Sequence, residues 1–295
     1  MSLKVDTQNQ SSITLGKGVR VGFFGRLYVN EPESGSQIIL GDGSWMGRNV
    51  ELQVYGGQTL TVGRRATVQD QTKLIGDVFL GAYSTLASNV FISSGTHQFA
   101  AEPTLLVKLQ DERYPVKSSP VYIGEDTWIG NNVFVKSGVT IGRGCVIGAN
   151  SVVLSDLEPY GVYAGTPAKK IKTRCGFEPG ANLDAANLAH RIYFYEGFDH
   201  ENVQGQGMEI VAPRARLAIP NSASSKNLKV DLIFEGAKSC EIEVGSQRLK
   251  IACKPGPSSI NIPLASDHGG QFNLVPIYMS SRAGGRLYVS AATIQ

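Results

Sequence analysis

Aliphatic residues followed by glycine recur at multiples of six through the first half of the chain, and this period decides the fold. The clearest run reads IGEDTW, IGNNVF, VKSGVT, IGRGCV and IGANSV, starting at Ile123, Ile129, Val135, Ile141 and Ile147. A small or β-branched residue holds the fifth position of each: Thr127, Val133, Val139, Cys145 and Ser151. The same frame fits LGKGVR from Leu15, LGDGSW from Leu40, MGRNVE from Met46, VGRRAT from Val62, LGAYST from Leu80 and LASNVF from Leu86. Six is neither the helical 3.6 nor plain alternation, so the pattern predicts short strands separated by turns at regular intervals. Three hexads make one coil of 18 residues, the interval from Val62 to Leu80 and from Ile123 to Ile141. Equivalent side chains then stack about 4.8 Å apart with the aliphatic residues pointing into one core, a parallel β-solenoid that needs both ends capped. The glycine of each hexad is expected to serve its turn.

Two stretches break the frame. YVNEPESGSQI adds a short excursion between the coils starting at Leu15 and Leu40. Residues 97–120, HQFAAEPTLLVKLQDERYPVKSSP, form a longer one whose Leu, Val and Tyr side chains expect a surface to cover. A loop of that length inside a compact repeat is usually functional or disordered, and its apolar side chains favour a functional one.

The hexads stop at Cys175, and GFEPGANLDAANLAHR reads as a polar linker with one helical turn. Strand-like alternation follows: Leu228, Val230, Leu232 and Phe234; Ile242 and Val244; Leu249 and Ile251; Ile260 and Ile262; Leu287 and Val289. The chain therefore divides into a β-helix over residues 1–175, a linker over 176–190 and a smaller C-terminal β-sandwich over 191–295, an all-β protein with two cores.

Composition narrows the class. Charged residues are only 18% and glycines number 34, which disfavours disorder and favours many tight turns. The formal net charge of +3 is small for this length and no run of Lys or Arg forms the clustered footprint that nucleic acid or anionic lipid requires, so neither partner is implied. Cys145, Cys175, Cys240 and Cys253 are too scattered for a disulfide framework and show no C-x-x-C spacing, so reduced thiols are expected and no metal. Cys240 and Cys253 flank a hairpin-like segment and would pair only on export. MSLKVDTQNQSSITL lacks an apolar stretch long enough for a signal peptide or membrane span, so a cytoplasmic protein is expected.

The stretch ISSGTHQF, the long loop, and then SSPVYIGEDTWIGNNVFVKSGVTIGRGCVIGANSVVLSDLEPYGVYAGTPAKKI resembles the hexapeptide-repeat acyltransferases of the galactoside, maltose and nodulation O-acetyltransferase branch. The resemblance implies a left-handed β-helix, a homotrimer, and acetyl-CoA bound in a cleft between neighbouring subunits. It places the catalytic histidine at His97 and matches Trp128 to the tryptophan bordering the acceptor and thioester. Asn131, Gly148, Ala149 and Ser151 fall where the pantetheine arm is held, largely by backbone groups. Lys169 and Lys172 match basic positions near the CoA phosphates. Gln69, Asp70 and Gln71 stand where the family often carries an acceptor-binding asparagine, and Ser155 replaces a common lysine beside the CoA path.

Acyl transfer from a thioester needs a base for the attacking hydroxyl, and histidine, with an ordinary pKa of about 6.5, can take that proton. The leaving thiol departs readily as thiolate, so one titrating residue suffices. Asp70, Asp111 and Glu112 are candidates to orient the imidazole. Each assignment has a plainer alternative: His97 as a surface loop residue, Trp128 as a turn residue, and Lys169 with Lys172 as a solvated cap. His190, His200 and His268 are read as structural or solvated. The segments YFYEGFDHENVQGQG and PGPSSINIPL loosely resemble jelly-roll modules appended to bacterial surface-polysaccharide enzymes, with Tyr193, Tyr195 and Tyr278 as candidates to stack on sugar rings.

The function implied is acetyl transfer from acetyl-CoA to a hydroxyl of a sugar or surface polysaccharide. The rivals are N-acetylation of an amino sugar or nucleotide sugar, and a non-enzymatic carbohydrate-binding scaffold. A γ-type carbonic anhydrase is excluded because its zinc needs three histidines and the repeat half has only His97.

Overall fold

The computed structural model describes residues 4–6, 11–30, 35–114, 118–201, 207–221, 227–236, 240–245, 248–264, 272–279 and 285–295. The chain divides into two compact units, Met1–Gly176 and Phe177–Gln295.

The first unit is a three-sided parallel solenoid. Among the described residues its sides are sheets of seven, six and eight strands. One coil supplies a strand to each in turn: Phe91–Ser93 to the first sheet, Val121–Ile123 to the second and Trp128–Ile129 to the third. Adjacent coils are offset by 25 residues at Arg26 and Glu51, 22 at Arg48 and Asp70, and 18 at Thr72 and Val90. The offset widens to 43 between Ser84 and Thr127, because residues 94–120 leave the coil at the corner between first and second sheets. The predicted hexad starts from Leu40 and Met46 through Leu80 and Ile123 to Ile147 lie in one continuous core, but Leu15, also expected inward, is 45% exposed because Ser12–Leu15 is the outermost strand of the second sheet. The fifth-position residues Thr127, Val133, Val139, Cys145 and Ser151 are all buried. At the C-terminal end Lys169–Thr173 turns back antiparallel on Gly161–Ala164, and Arg174 ties this cap down by donating to the Asp126 carboxylate (2.9 Å) and the Gly144 carbonyl (3.1 Å).

The corners refine the expected role of the hexad glycines. Left-handed backbone falls at the fourth position of the hexad, at Asn49, Tyr83, Asp126, Asn132 and Asn150, not at the glycine in the second. The second-position glycines are required by crowding: a Cβ on Gly81 would lie 2.4 Å from the Glu125 amide nitrogen, and one on Gly130 2.6 Å from that of Ala149. Neighbouring coils touch through their backbones there, and any side chain would force them apart.

In the second unit, among the described residues, two antiparallel five-stranded sheets share one core. One is built on Asn227–Glu235 between Gly256–Pro263 and Arg286–Ile294; the other on Phe272–Met279 between Arg214–Pro220 and Cys240–Val244. Leu228, Val230, Leu232, Phe234, Ile242, Val244, Ile260, Ile262, Leu287 and Val289 are buried as the alternation predicts. Leu249, expected inward, is 46% exposed because Leu249–Cys253 is an edge strand. Residues 176–190 contain a strand, Asn182–Asp184, paired with Arg286–Ile294, and the start of a 3-10 helix, Leu188–Tyr193. Among the described residues no helix is long and apolar enough to cross a membrane.

Candidate active site

The interrupting loop leaves the first sheet after Ser93 and organises itself around a short helix, Val107–Arg113. Its centre is polar. The buried Gln110 accepts from the Glu102 amide (3.0 Å) and donates to the Leu105 carbonyl (2.9 Å), while Glu102 holds Arg113 (2.7 Å) and the Tyr114 hydroxyl (3.1 Å). This network fixes the helix and so fixes Asp111 beneath His97. Asp111 Oδ2 lies 2.6 Å from His97 Nδ1, and Oδ1 accepts from the Gln98 amide at 2.7 Å. The Gln98 amide first, and then the imidazole, hold the Asp111 carboxyl below the usual carboxylate range.

An ionised carboxylate can only accept, so the shared proton belongs to His97 Nδ1 in the neutral imidazole. Nε2 then carries the lone pair. The His97 side chain is 82% exposed, which leaves that nitrogen open to an incoming hydroxyl. The other two candidate orienters are engaged elsewhere: Asp70 accepts from the Arg48 amide (2.8 Å) and pairs with its guanidinium, and Glu112 pairs with Lys108 (3.4 Å). Sequence reading missed Gln110 and Glu102, whose only signal was their place in a loop without a period.

The remaining site residues lie on other parts of the solenoid. Trp128 is 55% exposed on the outer face of the third sheet, between Thr85 and Val146. Gln69, Asp70, Gln71, Asn131, Gly148 and Ala149 share the corner between third and first sheets, linked coil to coil by the Asn89 amide on the Asp70 carbonyl and the Asn150 amide on the Asn131 carbonyl. Ser151 faces inward there: its hydroxyl donates to the Gly148 carbonyl (2.7 Å) and accepts from the Gly165 amide (3.1 Å). Lys169 and Lys172 lie on the exposed terminal strand, where the neighbouring Lys170 is paired with Glu158 at 2.7 Å. A single chain thus carries His97 and the Asn131 column on different corners, with the first sheet between them.

The other candidates have partners within their own units. His190 Nδ1 accepts from the Asp184 amide (3.1 Å), and Cys145 is buried with its thiol pushed up to about 11 by burial. Tyr195 packs against Phe177 and Phe272, Tyr193 donates to the Glu178 carbonyl, and Tyr278 lies under the Arg248 guanidinium. His268 lies outside the described residues.

Short parallel strands at a six-residue period and an inserted loop presenting a carboxylate-bound histidine define a class, and the comparisons agree: the chain belongs to the hexapeptide-repeat acetyltransferases. Residues 120–155 match the family described as bacterial transferase hexapeptide (six repeats). A probable acetyltransferase of Mycobacterium tuberculosis is 33% identical over 162 residues, 55% of this chain and 50% of that protein. The putative colanic acid biosynthesis acetyltransferase WcaF of Escherichia coli is 32% identical over 138 residues, 45% of this chain and 70% of WcaF. The putative lipopolysaccharide biosynthesis O-acetyl transferase WbbJ of the same organism is 34% identical over 139 residues, 46% of this chain and 71% of WbbJ. The chain thus spans half the length of the mycobacterial relative.

Proposed function

We propose that this protein is an acetyl-CoA-dependent O-acetyltransferase acting on a hydroxyl of a sugar or surface polysaccharide, with His97 as general base and Asp111 holding it. The observation that carries the reading is the Asp111 carboxylate on His97 Nδ1, which leaves Nε2 to accept a proton. Names given to WcaF and WbbJ support the choice of acceptor. The working form is a cytoplasmic homotrimer of left-handed β-helices, with residues 1–175 as the catalytic domain and residues 191–295 as an appended jelly-roll-like sandwich. Trimerisation is supported by the separate corners that hold His97 and the Asn131 column, which a neighbouring subunit would bring together. The loop also exposes Phe99, Leu106, Val107 and Leu109, which such a neighbour would cover.

Acetyl-CoA would supply an activated thioester. The corner at Asn131, Gly148 and Ala149 would hold its pantetheine arm, and Lys169 and Lys172 suit its phosphates. Trp128 borders the reacting end, and Gln69, Asp70 and Gln71 line the acceptor side. As the acceptor oxygen attacks the thioester carbonyl, its proton passes to His97 Nε2; the C–S bond breaks and the thiolate takes up that proton. Asp111 stabilises the imidazolium in between without taking the proton itself.

The test is mass spectrometry of glycans incubated with the protein and isotopically labelled acetyl-CoA. A labelled acetyl gain that is lost in mild base marks an O-ester. A gain that survives base marks an amide and overturns the hydroxyl assignment.

A further inference from the structure

The fourth-position column at the corner between third and first sheets reads Phe24, Asn49, Gln71, Asn89, Asn132 and Asn150, all in left-handed backbone with φ between 53° and 61°. Asparagine suits that conformation because its short polar side chain can bond locally; a phenylalanine there is strained. Phe24 gains nothing in the fold for that strain, since its ring is 65% exposed and that of the adjacent Phe23 is 63% exposed. Strain kept without a folding return points to a binding role.

Charge around the turn gives the partner's chemistry. The segment GKGVRVGFFGR, residues 16–26, carries Lys17, Arg20 and Arg26 and no acid. It runs along the exposed N-terminal coil from one corner, across the third sheet, to the next. Stacking places Arg48 directly above Phe23, where the Asn49 amide donates to the Phe23 carbonyl. Arg26 is paired with Glu51 and Arg48 with Asp70, but Lys17 and Arg20 enter no ion pair among the described residues.

We propose that this turn docks the protein on an anionic membrane surface, with the Phe23 and Phe24 rings entering the boundary between headgroups and acyl chains and Lys17 and Arg20 meeting lipid phosphates. A convex tip bearing two adjacent rings and flanking cations is the geometry of interfacial insertion, and the attachment is reversible and weakened by salt. The inference goes beyond the acetyl-transfer reading and does not depend on it.

Flotation with vesicles of phosphatidylcholine, alone or mixed with phosphatidylglycerol, tests it on the full chain without acetyl-CoA. The wild type should float with the mixed vesicles at low salt and remain behind with phosphatidylcholine alone. The double variant Phe23→Ser/Phe24→Asn should lose at least about tenfold in partitioning, and Lys17→Gln/Arg20→Gln should lose a comparable factor. Phe24→Asn should also melt at the same temperature or higher, because it relieves the strained φ, so lost binding is not lost folding. The proposal is overturned if mixed vesicles bind no better than neutral ones or if the variants float like the wild type. It is equally overturned if the double variant changes the sedimentation coefficient, which would make the turn a subunit contact. Loss of affinity for a single-stranded oligonucleotide in the variant, with no vesicle binding by the wild type, would assign the turn to nucleic acid instead.

Discussion

The coils and the loop that interrupts them are held by opposite kinds of contact. In the coils, aliphatic side chains stack in one dry core and backbones meet so closely at second-position glycines such as Gly81 and Gly130 that no Cβ fits there. In residues 94–120 the organising contacts are polar, running from Gln110 through Glu102 to Arg113 and from Asp111 to His97, while Phe99 and Leu106 stay exposed. One region is repetitive and intolerant of added volume. The other is unique, satisfied by a few hydrogen bonds, and carries the titrating groups. Substitutions in the coils should therefore appear as lost stability, and those in the loop as lost turnover.

The largest effect expected from this contrast is at a coil glycine. Gly81→Ala places a methyl against the Glu125 backbone and should cost about 3 kcal/mol or more of unfolding free energy, at the upper end for overpacking. Chemical denaturation measures it, and a change within about 0.5 kcal/mol would mean the coils can move apart.

Next comes Asp111→Asn, which keeps the shape but removes the charge that fixes the proton on Nδ1. Turnover should fall about tenfold to a hundredfold, less than on loss of the base itself, with only a small drop in melting temperature. The same carboxylate sets a pH limit. Its folded pKa lies below its unfolded one, so its contribution is full above the ordinary carboxylate range and is lost as pH falls through the depressed folded value. Protection of the Gln98 amide, relative to its intrinsic exchange rate, should accordingly fall only in acid, and in Asp111→Asn it should be weaker already at neutral pH. Equal Gln98 protection in both proteins at neutral pH would remove Asp111 from the role given to it.

The smallest effect expected is at the terminal strand. Lys169→Ala with Lys172→Ala should raise KM for acetyl-CoA by roughly fivefold to tenfold, as for exposed charges worth about 1 kcal/mol in sum, and leave kcat intact. A lower kcat at unchanged KM would place these lysines away from the phosphates.

Sequence and structure part company along the same line. The period announced the core hexad starts from Leu40 to Ile147, because each coil repeats one packing problem, but it did not name core residues such as Leu52, Leu60, Leu74 and Ile92. It did not announce the left-handed fourth position, since Tyr83 and Phe24 occupy it as well as asparagines. His97 was proposed from its motif, while Asp111 stood as one of three acids that could orient it. Choosing among them required the helix Val107–Arg113, which lies in a stretch without periodicity and is set by Gln110. In the second unit alternation gave the core, and it failed at Leu249 because an edge strand lacks a neighbour to bury it.

The acetyl-transfer rate of His97→Ala with a verified acceptor tests the proposed mechanism most directly. The variant should fold, keep its affinity for CoA, and lose about a hundredfold to ten-thousandfold in turnover, equivalent to roughly 3 to 5 kcal/mol of transition-state stabilisation. A loss of less than about threefold at neutral pH would contradict a general base at this position and leave His97 an ordinary loop residue.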